Sequence, residues 1–237
     1  MAVVTIDGQI GGGPRLIGPS VARLLGADYV DRLILAEAAR RIPATVEVLA
    51  KREQTIPRFV ERIAGLMEKA MERSAMAGVG GDPYMGPGLG TILMQPYDLA
   101  SKPAATRAQE LDDRLFIEVV TEVIRELANA GNVVIIGRGG CAIVKDLPHV
   151  LRVAVVAKLE DRISSNMERE HLDRPAAEKF TIETEKARVA YFRKFFKVDP
   201  YDPLLYHMIV NISVMNPEHA AEMIAQAAKA LETGRAN

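Results

Sequence analysis

Cysteine and tryptophan are nearly missing from this chain: Cys141 stands alone among 237 residues, and there is no Trp. One thiol cannot form an internal disulfide, so the fold must hold by its core. A reducing compartment, the cytoplasm, is the expected location. Charge of one sign is missing too. Acidic and basic residues number 31 and 30, for a net charge of −1. With no global basic field, neither DNA, RNA nor an anionic membrane is an expected partner. No apolar run approaches the roughly 20 residues that cross a bilayer. The segment Met1–Asp7 lacks a basic region followed by a long apolar stretch, so no signal peptide is expected there. His149, His171, His207 and His219 show no metal-ligand spacing.

What is present is ordinary for a globular chain, 49% hydrophobic and 26% charged. The length suits one core with an inserted lobe better than two independent domains. Ala2–Ile6 is a β-branched run closed by Asp7-Gly8, which reads as a buried strand. Asn132-Val-Val-Ile-Ile-Gly137 and Leu151–Ala157 are further nearly continuous apolar runs of the kind found in strands covered on both faces. Tyr29-Val30 and Leu205–Ile212 are shorter candidates. Helical spacing marks Leu16–Leu25, Leu33–Ile42, Leu111–Ala130, Leu159–His171, Pro175–Phe196 and Pro217–Leu231. Strands alternating with helices predict an α/β fold with a parallel sheet. Residues 44–77 have helical spacing broken at Pro57, whereas 78–105 carry the turn chemistry of Gly78-Val-Gly-Gly-Asp-Pro83 and Met85-Gly-Pro-Gly-Leu-Gly90.

Between the first strand and the first helix lies Gly8-Gln-Ile-Gly-Gly-Gly-Pro-Arg15. A helix N-terminus offers unpaired N–H groups and partial positive charge, and glycines let that backbone close around phosphate oxygens. Gly8 to Gly13 has the Gly-x-x-x-x-Gly frame of a Walker A loop, but Pro14 and Arg15 stand where Lys and Ser or Thr belong. Strand, turn and helix in that order favour phosphate over the plainer alternative, a turn whose glycines serve only packing. Gly8, Gly11, Gly12 and Gly13 are the expected cradle. Arg15 can clamp phosphate with two parallel bonds. Asp7 is a candidate to hold Mg²⁺ through water. Asp31 ends a short extended piece and suits a ribose, a metal-bound water or a helix N-terminus. Arg138, in Gly137-Arg-Gly139 after a buried strand, stands at the sheet edge where α/β proteins bind ligands; a salt bridge to Asp146 or Asp31 is the alternative. Lys186–Lys197 is a run of cations interleaved with Tyr191, Phe192, Phe195 and Phe196, read as a lid ahead of a solvated face. Cys141 reads as a small buried hydrophobe.

Taken in order, these segments resemble the cytidylate kinase-like family, a branch of the P-loop nucleoside monophosphate kinases. The stretch Asp7–Arg15 is similar to that family's Ser-Arg-Glu-Tyr-Gly-Ser-Gly-Gly-Arg loop, matching at Gly11, Gly13 and Arg15 and departing at Asp7, Gly8 and Gln9. Tyr29-Val-Asp-Arg32, Val134-Ile-Ile-Gly-Arg-Gly139, Leu147–Val153, Leu159-Glu-Asp-Arg162 with Arg169-Glu170, Glu185-Lys-Ala-Arg-Val-Ala-Tyr191 and Asp202-Pro with Tyr206 and Asn211 continue the likeness. Residues 43–106 carry none.

The resemblance implies a three-layer P-loop NTPase-type parallel sheet with an inserted helical lobe and a helical lid. Residues 1–42 and 107–237 would form the nucleotide-binding core, with the lid near 160–200, and 43–106 an acceptor-binding lobe. It implies a kinase that moves the γ-phosphoryl group of ATP, with Mg²⁺, to CMP or dCMP. Arg138 would hold the acceptor phosphate, while Arg15, Arg169 and Arg188 would serve the transferring group. The family's Asp after that arginine is Gly139 here, which bears on base specificity. The other readings are a nucleotide sensor without catalysis, suggested by Pro14 and the altered Asp7-Gly8-Gln9, and a kinase for a different small acceptor. Nucleotides are the expected partners, and a homo-oligomer is compatible with the sequence.

Overall fold

The structure, a computed structural model, describes residues 1–32, 35, 62–70, 97 and 107–233, with side chains from Phe116 onward in the last stretch. Most of the helix expected at Leu33–Ile42, the Pro57 break and nearly all of 78–105 lie outside the described residues. Contacts divide the chain into two units, residues 1–31, 96–101 and 128–237, and residues 32–95 and 102–127.

The first unit is built on five parallel strands in the order β2-β3-β1-β4-β5. They are β1 (Val3–Gly8), β2 (Asp28–Val30), β3 (Val133–Ile136), β4 (Val150–Val156) and β5 (Met208–Asn211). β1 is central, with Val3 opposite Val133 of β3 on one side and Val150 of β4 on the other. The period-two alternation of a strand sends Val4 and Ile6 to one face and Val3, Thr5 and Asp7 to the other. On the first face, Val4 and Ile6 join Ile17 and Val21 of α1 (Pro14–Leu25), Val134, Leu151, Val153 and Ile224 in one buried cluster. On the second face, Thr5 Oγ1 meets the Cys141 thiol at 3.3 Å.

α1 begins at Pro14, whose missing N–H costs nothing in a first turn. It continues through Pro19, which forfeits the helical bond to the Arg15 carbonyl. Further helices among the described residues are α2 (Arg107–Ala130), α3 (Gly140–Ile143), α4 (Leu159–Glu170), α5 (Arg174–Phe196) and α6 (Pro217–Thr233). Asp173 caps α5 by accepting from Ala176 N at 2.9 Å. The strand expected over Leu205–Ile212 is shorter. Pro203–Leu205 is a 3-10 turn in which the Asp202 carboxylate accepts from Leu204 N, and pairing starts only at Met208.

In the second unit, residues 62–70 are helical and bury Ile63, Met67 and Ala70 at helical spacing. α2 buries Val119, Val120, Val123, Ile124 and Leu127, a stripe of the same kind.

Gly18 fixes how closely α1 approaches the sheet. A Cβ there would stand 2.6 Å from Ile136 Cδ1 and 2.9 Å from a Tyr29 ring carbon. Gly18→Val is therefore expected to lower unfolding free energy by about 1–3 kcal/mol through overpacking. Urea denaturation measures it, and a variant as stable as the parent would refute this packing.

Candidate functional site

All strands are parallel, so the loops after β1, β3 and β4 leave the same edge of the sheet. The chain turns to opposite sides of β1 there, the arrangement that opens a crevice for ligands in α/β sheets.

The loop after β1 is tightly formed. Gln9 N donates to Val155 O (3.2 Å), Gly12 N to Gln9 O (2.8 Å), and Ala157 N to Gln9 Oε1 (3.2 Å). Gly11 and Gly13 have φ of 76° and 88°, the left-handed region that side chains resist. Space forbids side chains as well. A Cβ on Gly11 would lie 2.5 Å from Arg162 O, and one on Gly13 would lie 2.4 Å from Ile212 Cδ1. Gly13 caps α1 with no side-chain bond to the helix end. Among the described residues, the amides of Gly11, Gly13 and Arg15 have no acceptor. A helix N-terminus open in this way favours an anion. Pro14 adds no charge, and its ring lies against Gly8, 2.4 Å from where a Cβ would stand.

Ile10 N donates 2.8 Å to Glu185 Oε2, which ties this loop to α5. Glu185 is buried, and Arg188 grips its Oε1 through Nη2 at 2.7 Å and Nε at 3.1 Å. Tyr201 OH donates to the same oxygen at 2.7 Å, and Arg162 Nη2 lies 3.6 Å from Oε2. Arg162 Nε donates to Ile10 O at 2.9 Å. Burial alone would raise the Glu185 pKa, but the Arg188 charge and these hydrogen bonds hold it below 4.5. Glu185 in turn raises the Arg188 pKa against the effect of burial.

At the end of β1, Asp7 is 2% exposed and accepts from Cys141 N at 3.0 Å. Burial pushes its carboxyl up; the Cys141 and Gly139 amides and the Arg188 charge oppose that. Asp7 thus pins the turn Gly137-Arg138-Gly139, whose three residues all have positive φ. Arg138 is buried, with its guanidinium 5.7 Å from the centre of the Tyr97 ring. Cys141 is fully buried, and burial and the Asp7 charge push its thiol well above the ordinary value, against a nucleophilic role.

Arg15 points to Asp31, with Nη2 at 3.0 Å from Oδ2, and Tyr29 OH lies 3.4 Å from the same oxygen. Burial and Asp31 raise the Tyr29 pKa to about 12. Arg169, at the end of α4, is exposed and bonds Glu170 and Asn166. The structure therefore places Gly8–Gly13, Asp7, Arg138 and Arg188 in one linked network. Arg15 with Asp31 forms a second pair, and Arg169 makes its own contacts on α4. Glu185, Arg162, Tyr97 and Tyr191 were not singled out from sequence as site residues. Glu185 and Tyr191 had a signal, standing at the two ends of the Glu-Lys-Ala-Arg-Val-Ala-Tyr motif; Tyr97 lies in a segment with none.

A glycine loop opening a helix beside the central strand of a parallel sheet is the arrangement of a P-loop-type α/β fold. This chain belongs to the cytidylate kinase-like family, whose model matches residues 3–214. Among solved structures, an uncharacterized protein from Eubacterium ventriosum is 16% identical with a TM-score of 0.60, covering 97% of this chain and 99% of that one. That likeness shows the fold. A shikimate kinase from Acinetobacter baumannii is 12% identical with a TM-score of 0.46, covering 97% and 94%. No curated protein matches the chain. Among the described residues, no helix is long and apolar enough to cross a membrane, and no group of three His, Cys, Asp or Glu residues could hold a metal.

Removing the Glu185 charge leaves Arg188 buried without its counterion. Glu185→Gln is expected to cost about 3 kcal/mol of stability at neutral pH. The folded pKa is depressed, so the carboxylate contributes fully above 4.5 and less as pH falls through the folded value. Denaturation from pH 3 to 7 should show the gap between parent and variant closing below pH 4.5. A gap independent of pH would contradict this assignment.

Proposed function

We propose that this nucleoside monophosphate kinase-like protein transfers the γ-phosphoryl group of ATP to CMP or dCMP. The observation that carries this reading is the set of acceptor-free amides at Gly11, Gly13 and Arg15 on an uncapped helix end, in a loop whose left-handed φ and close packing leave no room for a side chain at 11 or 13. That backbone fits a polyphosphate. Phosphoryl transfer asks the protein mainly for positioning and charge neutralisation. Residues Gly8–Gly13 would bind the donor phosphates. Arg138 would hold the acceptor phosphate, and Arg188 would supply buried positive charge beside both. Arg15 and Asp31 would bind together, the arginine turning from its ion pair toward phosphate. Arg169, exposed near the end of α4, would serve the transferring group. Mg²⁺ would arrive with ATP and be held mainly by phosphates and water, with Asp7 at the end of β1 the candidate carboxyl, acting through water. The acceptor lobe is proposed for 43–106, and the compartment is proposed to be cytoplasmic.

A second reading, a sensor that binds nucleotide without turnover, is favoured by one feature. Pro14 sits at the lysine position of the loop, and Arg15 is paired with Asp31. A coupled assay with ATP, Mg²⁺ and a panel of monophosphates, beside calorimetry with ADP, separates the two. The kinase reading expects turnover greatest with CMP or dCMP. It also expects Gly13→Val to lose at least about tenfold in ADP affinity, because the φ and Ile212 both oppose the side chain. Heat of binding without turnover would favour the sensor. No heat with ADP in the parent would refute both.

A further inference from the structure

Tyr191 is fully buried in α5, and its ring meets four aromatic neighbours edge-on. The centroids of Phe195, Tyr97 and Phe196 lie at 5.0, 5.1 and 5.6 Å. Packing of this kind needs a ring and no hydroxyl, and positions 192, 195 and 196 of the same helix are indeed all Phe. Yet position 191 carries a hydroxyl, and among the described residues it has no hydrogen-bond partner. Other tyrosines of this unit are satisfied. Tyr206 OH donates to Pro200 O at 2.9 Å, Tyr201 OH to Glu185, and Tyr29 OH to Asp31. A buried hydroxyl without a partner costs stability, so its retention asks for a ligand.

The surroundings indicate which one. Tyr97 is the common neighbour, its ring 5.1 Å from that of Tyr191 and 5.7 Å from the Arg138 guanidinium, so Tyr191 and Arg138 flank one ring. Burial raises the Tyr191 pKa, which keeps the hydroxyl a donor at neutral pH. The same corner lacks a side chain at 139. A Cβ on Gly139 would fall 2.2 Å from the Phe196 ring, so residue 139 has no means of contacting a ligand beside Arg138. We propose that the Tyr191 hydroxyl donates a hydrogen bond to the anionic phosphoryl oxygen that Arg138 binds, as part of the acceptor's phosphate subsite. This rests on the reading of Arg138 given above.

The test is calorimetry on the full chain with CMP and with inorganic phosphate, for the parent and Tyr191→Phe, together with ligand-free thermal unfolding. The expected result is a loss of about tenfold in affinity for both probes, with Tm unchanged or raised because an unpaired hydroxyl has gone. Equal affinities in parent and variant would overturn the Tyr191 contact alone. A loss with CMP but none with phosphate would move the contact off the phosphoryl group and overturn it too. A lowered ligand-free Tm would reveal an internal partner, with the same consequence. If the parent binds neither probe, the kinase reading falls and takes this proposal with it.

Discussion

A single buried carboxylate, Glu185, joins the glycine loop to the helix that follows it far along the chain. Its two oxygens take the Ile10 amide, the Arg188 guanidinium and the Tyr201 hydroxyl, with Arg162 close by. A buried ion pair seldom adds much net stability, because desolvation offsets attraction. Its value here is geometric. With Arg162 also bonded to Ile10 O, both the N–H and the C=O of Ile10 are held, and the loop has little freedom to rearrange. The neighbouring amides are thereby set in place before any anion arrives. Preorganised donors of that kind are what electrostatic stabilisation requires.

The same economy appears at Asp7. A carboxyl at the end of the central strand, in a position that invites a metal, is spent on the backbone amides of the neighbouring turn. That contact links the end of β1 to the loop after β3, so the proposed donor cradle and Arg138 stand on one edge of the sheet. Positive charge then comes from Arg138 and Arg188, both nearly inaccessible to solvent, and not from the loop itself. Absence of the loop lysine is thus less decisive for binding than the motif alone suggests.

Much of the fold was legible in the residues, because β1, β3 and β4 are continuous apolar runs and the glycine loop follows one of them. Strand order was not, since β2 spans only Asp28–Val30 and pairing between distant segments leaves no local pattern. The short helix α3 was missed because Gly140–Ile143 is a single turn with too few residues for a period. Of the site, the glycines and Arg138 announce themselves by their turns. Glu185 gives no sign in sequence of the bonds it makes, because it stands one residue before the cationic run that begins at Lys186, and only the fold brings it to Ile10 and Tyr201. Tyr191 stands in sequence among Phe192, Phe195 and Phe196, and only three-dimensional packing distinguishes a satisfied hydroxyl from one without a partner.

The central claim, that backbone amides of this loop bind phosphate without a lysine, is tested most directly by amide NMR of the labelled protein during titration with ADP. The account predicts that the Gly11, Gly13 and Arg15 resonances move downfield and saturate together, as new hydrogen bonds to phosphate oxygens form. Resonances of those amides that stay fixed while ADP perturbs another region would contradict it.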